Sequence, residues 1–380
     1  MAYRFVTGVS TTQESLDDGD FLTVLSDGAI TLGTAGAIGI VSFNSNVGTA
    51  VFGNVAAAEI GILLAGSQAN VFVGQSGTVT GGKTGVWLGL AHTSNISVRN
   101  DGTIIGSREG VYLEGASLEL VNTGTISVSV ADPSAPMTAV KLTTRADSAS
   151  YLTNTGTIIA GRTSSNHNAI IGGSGGDIVT NSGLIVGTIK LGAGHDRYFG
   201  QQGFCEGGFI HLGTGRNEAY GGTGAETFIL DQQGDRLDDL VDGGAGVDSL
   251  NLSDGEFDVR VDLRVTVVQD TGVGVLTIRN VENLITSNGR DWVTGNSDNN
   301  QISTGSNNDT LEGGLGDDVL AGSAGNDTAL FSGSVGATVN LTCTRPARPK
   351  RYQQSHCQTG AIQTCRCRDV RRTPATVSIC

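Results

Sequence analysis

Aliphatic residues recur along the first half of the chain in short runs that alternate with polar positions, and the runs are separated by glycine and asparagine. The alternation has the period of two of half-buried β-strands, and the 3.6-residue period of an amphipathic helix is almost absent. The runs themselves repeat. A pattern of polar, any residue, glycine, small residue, aliphatic reads Ser26-Asp-Gly-Ala-Ile30, Gln75-Ser-Gly-Thr-Val79, Asn100-Asp-Gly-Thr-Ile104, Asn122-Thr-Gly-Thr-Ile126, Asn154-Thr-Gly-Thr-Ile158 and Asn181-Ser-Gly-Leu-Ile185, with a weak copy around Gly53. The key glycines are spaced by 22 to 32 residues, a range that belongs to solenoids. A second register runs between them, through Gly39-Ile-Val, Gly61-Ile-Leu-Leu, Gly85-Val-Trp-Leu, Gly110-Val-Tyr-Leu and Ala139-Val-Lys-Leu.

One such unit cannot bury its apolar face alone, but stacked units can. The pattern therefore predicts an all-β fold, a parallel β-helix over residues 1–190 with two or three short strands per unit. The glycines are expected at positive φ, a conformation that asparagine also tolerates. Asn100, Asn122, Asn154 and Asn181 are expected to stack as a hydrogen-bonded ladder. The insertion Ala131-Asp-Pro-Ser-Ala-Pro136 should protrude as a loop.

A different period occupies residues 191–340 and is strongest over 286–330, where nine residues repeat five times without a gap. The copies begin at Thr286, Gly295, Thr304, Gly313 and Gly322. Their sixth positions are Asp291, Asn300, Asp309, Asp318 and Asp327, and their eighth are Val293, Ile302, Leu311, Leu320 and Ala329. Gly313-Gly-Leu-Gly-Asp-Asp-Val-Leu-Ala321 is the fullest copy. Upstream, Gly243-Gly-Ala-Gly-Val-Asp-Ser-Leu-Asn251 is a strong single copy and Leu191-Gly-Ala-Gly-His-Asp196 a fair one. Leu212 to Tyr220 and Gly221 to Ile229 keep the glycines but carry Asn217 and Glu226 at position six, and Gly234 to Asp242 keeps Asp239. Phe257 to Leu284 lacks the glycine code and reads as ordinary strands between repeat blocks.

This stretch resembles the repeats-in-toxin (RTX) family of calcium-binding nonapeptides, Gly-Gly-x-Gly-x-Asp-x-aliphatic-x. The resemblance implies a parallel β-roll with two nonapeptides per turn, so that residues 18 apart stack. Asp291 then lies over Asp309, Asn300 over Asp318, and Asp309 over Asp327. Stacked strands are about 4.8 Å apart, roughly twice a calcium–oxygen distance. An ion seated between turns therefore meets both carboxylates and the turn carbonyls. Hard oxygens in flexible number suit Ca²⁺ better than Mg²⁺. Glycines 289, 305, 314, 316 and 325, with Asn307 in a glycine place, let the turns present those carbonyls. Ser287, Asn296 and Ser323 replace glycine at position two, and Asp298 and Asn307 at position four, where left-handed turns are expected. The expected metal residues are Asp291, Asn300, Asp309, Asp318, Asp327, Gly289, Gly305, Asn307, Gly314, Gly316, Gly325 and, in a further site, Asp248. Asn300 should weaken its site.

Charge sharpens the picture. The net charge is −14, but residues 191–340 hold 23 acids and 7 bases, whereas residues 341–380 hold 1 acid and 8 bases. So acidic a block repels nucleic acid and anionic membranes, and the resemblance supplies the cation that neutralises it. Glycine accounts for 58 of 380 residues, about twice the ordinary share. Five of the six cysteines fall in the last 38 residues, so the body is no disulfide scaffold. No apolar run is long enough to span a bilayer. The N-terminal residues show no apolar secretory core. Family members typically leave bacteria unfolded by a one-step (type I) route and fold outside, which the resemblance implies here.

Catalytic signals are weak. None of the five histidines makes a His-Glu-x-x-His pair. Gly172-Gly-Ser174-Gly-Gly176 matches the hydrolase Gly-x-Ser-x-Gly pattern, but no helix pattern follows. Arg99, Asp101, Arg108 and Glu109 are the only cluster to consider for a polysaccharide lyase or epimerase. The basic tail 341–380, rich in Arg and Cys, reads as disordered or as the product of a shifted reading frame, and its Cys and His spacing fits no standard zinc site. The resemblance thus leads to the expectation of a calcium-binding, secreted, non-enzymatic protein whose β-helix would serve adhesion, a surface layer or a matrix, with a cell-surface glycan or polysaccharide as the partner to test. An extracellular carbohydrate-active enzyme with an RTX folding module is the alternative.

Overall fold

The computed structural model describes residues 2–90, 93–129, 136–160, 167–230 and 238–330, and by backbone alone Phe331 and the strands Val339–Cys343, Gln363–Arg366 and Ala375–Ile379. Residues 131–135 of the loop expected at Ala131–Pro136 and most of the tail 341–380 lie outside the described residues. Those residues hold strands and turns and no helix. They form two compact units, Met1–Thr223 and Gly224–Cys380.

The first unit is a parallel β-helix with three strands per rung, one for each of three sheets. Register follows the sequence repeats. In one sheet Ile30, Val55, Val79, Ile104, Ile126, Ile158 and Ile185 stack in sequence, each fully buried. In another, Ile40, Ile62, Val86, Val111, Val140, Ile170 and Ile189 do the same. Each side chain so buried contributes roughly 1.5–3 kcal/mol. These columns form the core.

The third sheet changes chemistry partway. Val24, Val51 and Val73 stack, and the column then continues as Asn100, Asn122, Asn154 and Asn181. All four asparagines are buried. Each Nδ2 donates to the next Oδ1, at 2.7, 2.7 and 2.8 Å. The same Nδ2 atoms reach backbone carbonyls such as Gly102 and Thr125. The ladder exists, but for a different reason than a left-handed turn. These asparagines are strand residues pointing inward, and none has positive φ.

The glycines that follow are corrected in the same way. Gly28, Gly53, Gly77, Gly102, Gly124, Gly156 and Gly183 have no positive φ. They are glycine because the next rung leaves no room. A methyl group on Gly124 would lie 2.1 Å from Gly102 O, and one on Gly156 2.2 Å from Gly124 O.

The β-helix does not end at residue 190. Arg197–Phe199 and Glu218–Tyr220 add parallel strands in register with Ile178–Thr180, so the turns at 191–196 and 212–217 are further rungs of the same unit.

In the second unit successive nonapeptides alternate between two parallel sheets. One contains Thr227–Ile229, Ser249–Asn251, Asn283–Ile285, Gln301–Ser303 and Asp318–Ser323, and the other Arg260–Asp262, Trp292–Thr294, Thr310–Glu312 and Asp327–Phe331. The step is 18 residues: Trp292 pairs with Thr310, Thr310 with Thr328, and Gln301 with Val319. Leu250, Leu284, Ile302 and Leu320 form one buried column, and Val261, Val293, Leu311 and Ala329 the other. The stretch 257–284, which carries no glycine code, is not a bridge between blocks: Val261 starts one column and Leu284 continues the other. Asp239 belongs to the strand Asp238–Asp242, not to a turn.

Gly124→Ala should force the rungs apart and lower the melting temperature of the first unit, whereas Asn122→Ala strands its neighbours' buried amide groups, at about 1–3 kcal/mol. Thermal unfolding followed by circular dichroism checks both; an unchanged transition in either variant contradicts the packing described.

Candidate metal centre

The position-six residues lie where each glycine-rich turn enters its strand, and the stack brings them together as the 18-residue step requires. Asp291 donates its backbone N–H to Asp309 Oδ1 at 2.9 Å, Asp309 donates to Asp327 Oδ1 at 3.0 Å, and Asn300 donates to Asp318 Oδ1 at 2.9 Å. The first column begins one rung earlier, with Val259 N–H on Asp291 Oδ1 at 2.8 Å. All five side chains are at most 2% exposed.

The second column extends upstream through Asp248, an expected ligand, and takes in Glu226 and Glu282, which the repeat pattern did not single out as ligands. Glu226 N–H donates to Asp248 Oδ1 at 2.8 Å, and Asp248 N–H to Glu282 Oε2 at 2.7 Å. Glu282 was missed because no glycine precedes it. Its signal was the spacing to Leu284, which repeats the interval between positions six and eight.

Each ladder uses one oxygen of each carboxylate. The other is the informative atom. Asp248 Oδ2, Asp309 Oδ2 and Asp318 Oδ2 are buried with no hydrogen-bond partner; the Thr304 hydroxyl beside Asp309 is turned to Ala321 O, at 3.4 Å. Asn300, in the equivalent place, shows what the position asks for: its Nδ2 donates to Glu282 O at 2.8 Å and Asn296 Oδ1 at 2.9 Å. Where an amide offers N–H, a carboxylate offers only a second acceptor. Asp291 solves this locally, because Thr286, standing in the glycine place at position one, donates its hydroxyl to Asp291 Oδ2. A buried charge without a partner is costly, and a bound cation removes the cost.

The glycines set the geometry around those oxygens. A methyl on Gly313 would lie 2.2 Å from Asp318 Oδ2, and one on Gly322 2.4 Å from Asp327 Oδ2, so position one is glycine to admit the carboxylate. Gly314 and Gly316 have φ of +97° and +105° and face the carbonyls of Asn296 and Asp298 in the adjacent turn. Asn307 and Ser323 adopt positive φ in glycine places. Asp298 does not, contrary to the left-handed turn expected at position four, and neither do Ser287, Asn296, Gly289, Gly305 and Gly325. Those three glycines instead lie against the carbonyls of Phe257, Ser287 and Asn307.

The donor set is thus carboxylate and carbonyl oxygen. Among the described residues no three His, Cys, Asp or Glu side chains converge on one point, so a cation here is held by stacked pairs together with backbone oxygens. That is the chemistry of a hard ion with flexible coordination. The residues fit calcium.

The fold of the second unit and this site define a parallel β-solenoid whose turns stack buried carboxylates. Residues 281–311 and 294–329 match the RTX calcium-binding nonapeptide repeat, in four copies, so the stretch 281–329 is an RTX repeat block. No curated protein matches the chain. No helix among the described residues is long and apolar enough to cross a membrane. Of the four residues considered for catalysis, Arg99 pairs with Asp101, Asp101 accepts from the Thr123 hydroxyl at 2.9 Å, and Glu109 accepts from the Thr84 hydroxyl at 2.9 Å.

Burial pushes Asp309 up to about 6 and Asp248, with help from Glu226 and Glu282, to about 7, from an ordinary 3.8. Asp291, Asp318 and Asp327 are raised for the same reason. A folded value above the unfolded one means that folding takes up protons. The penalty is absent below about pH 4 and grows as pH rises through about 6 to 7. Without calcium, acidification from about pH 8 to about pH 5 should therefore increase β-structure in the second unit. Asp309→Asn should reduce that dependence. Circular dichroism against pH in a calcium chelator measures it, and a signal that weakens on acidification would contradict the assignment.

Proposed function

We propose that this is a secreted, non-enzymatic protein whose second unit folds as a β-roll when calcium binds, and whose β-helix presents an adhesive or matrix-forming surface outside the cell. The observation that carries the reading is the set of buried, unpartnered carboxylate oxygens on Asp248, Asp309 and Asp318. Calcium sits between Asp291 and Asp309, between Asp309 and Asp327, and more weakly between Asn300 and Asp318, with a further ion at Asp248. The turn backbones at Gly289, Gly305, Asn307, Gly314, Gly316 and Gly325 complete the shells. A ligand bound only by the folded state stabilises it by mass action. Where calcium is scarce, the acidic unit stays open and passes through a type I export route. Extracellular calcium, in the range of about 0.1–1 mM or above, matches the weaker class of protein calcium sites.

The β-helix surface supports an external ligand. Tyr3, Phe5, Phe43, Tyr151 and Phe204 are each at least half exposed. Tyr112 is half-buried, with Lys141 4.6 Å over its ring. Aromatic rings with polar edges suit a glycan or polysaccharide face.

A calcium titration of the full chain, followed by far-UV circular dichroism, tests the reading beside an Asp309→Ala, Asp318→Ala double variant. The expected result is a gain of β-structure at submillimolar to millimolar calcium that the variant loses. A signal indifferent to calcium in both proteins would reduce the repeats to plain structural turns.

A further inference from the structure

Strand residues alternate between the two faces of a sheet. In the β-helix, the residue after each of the core positions Val111, Val140, Ile170, Ile189 and Ile210 therefore points away from the core. Those residues are Tyr112, Lys141, Ile171, Lys190 and His211. They stack in register, one per rung, and each is half-buried. Upstream, the same column is apolar and closed: Val41 and Leu63 lie buried in one cluster, with Trp87 packed against it. The chemistry changes at Tyr112, whose ring stacks 5.1 Å from that of Trp87.

Charge sets the column apart. Elsewhere the bases find acids: Arg4, Lys83, Arg99, Arg197, Arg264 and Arg290 each pair with a carboxylate. Among the described residues, the ammonium groups of Lys141 and Lys190 form no ion pair and no hydrogen bond. Lys141 rests instead 4.6 Å over the Tyr112 ring. The two lysines stand two rungs apart, about 9.6 Å along the axis, in a chain of net charge −14. Beside the far end of the column, Phe209 is 47% exposed and meets the His211 ring edge-on at 6.3 Å. At the near end, the Tyr112 hydroxyl donates to Glu114 Oε2 at 3.1 Å.

We propose that a linear acidic polysaccharide, with uronate rings set among neutral ones, lies along this column from Tyr112 to His211. The inference rests on the glycan ligand of the proposed function and gives it a place and a charge. The rung spacing of about 4.8 Å is close to the advance of one ring in an extended polysaccharide, so carboxylates on alternate rings meet Lys141 and Lys190. Phe209 offers an apolar face to the C–H side of a ring. Glu114 accepts from ring hydroxyls. The same carboxylate opposes a dense polyanion such as nucleic acid, in which every unit is charged. A straight line one residue wide suits an extended chain and not the plane of a bilayer.

The test titrates the full chain, in calcium and at low salt, with a hyaluronan oligosaccharide, in which glucuronate alternates with N-acetylglucosamine. A chitin oligosaccharide of equal length, without carboxylates, and inorganic polyphosphate are the comparison ligands. Calorimetry should show hyaluronan binding that weakens as salt is added and exceeds that of both others. The Lys141→Gln, Lys190→Gln double variant should lose about tenfold in affinity, as the loss of two partly exposed charge pairs does. Lys141→Arg, Lys190→Arg should retain binding, which separates charge from packing, and Arg99→Gln, on another sheet, should leave it unchanged. Equal binding of the chitin oligosaccharide, or equal weakening by Arg99→Gln, overturns the acidic column while leaving a glycan ligand in place. Polyphosphate that binds as tightly as hyaluronan overturns the choice of polysaccharide. Binding of neither oligosaccharide overturns the column and the glycan ligand together.

Discussion

A parallel stack sets each residue directly over its counterpart one turn away, about 4.8 Å distant. Apolar residues meet that constraint without cost, and the isoleucine and valine columns of both units are the result. Glycine meets it where backbone must lie on backbone, as at Gly102, Gly124 and Gly156, whose α-carbons face the carbonyl of the preceding rung. Asparagine meets it because an amide is donor and acceptor at once. The ladder from Asn100 to Asn181 passes one hydrogen bond up each step without needing anything from outside.

Aspartate is the residue that does not meet it alone. In the same stacked geometry a carboxylate accepts one backbone N–H and is left with a second oxygen and no donor. Asp309, Asp318 and Asp248 carry that deficit. Asp291 and Asp177 escape it through the hydroxyls of Thr286 and Ser150. The difference between a self-sufficient ladder and a cation-dependent one is therefore the replacement of –NH₂ by –O⁻ at one side-chain position. The acidic second unit is the larger expression of that replacement, and under the proposed function it would link folding to the supply of calcium.

Much of this was legible along the chain. The glycine and aliphatic registers predicted the rungs, and the nine-residue spacing predicted which carboxylates would stack. The reasons for particular residues were less legible. Asn100 and Gly102 sit in a turn-like sequence, yet the structure places the asparagine in a strand facing the core and the glycine under a neighbouring carbonyl, both without positive φ. Glu282 and the stretch before it carry no glycine code, yet they complete a column. Asp298 occupies a glycine position without adopting a glycine conformation.

The sequence by itself determined the all-β class, the parallel stacking and the identity of the carboxylate columns, because a repeat length fixes which residues return to the same place. Tertiary structure alone decided which side-chain atoms are left wanting. A carboxylate oxygen finds a threonine hydroxyl in its own turn, as Asp291 does with Thr286, but the backbone N–H that meets its other oxygen comes from another rung, 18 to 34 residues away. No local pattern encodes that distance, and it is the unpartnered atoms that turn a stack of strands into a place for a metal ion.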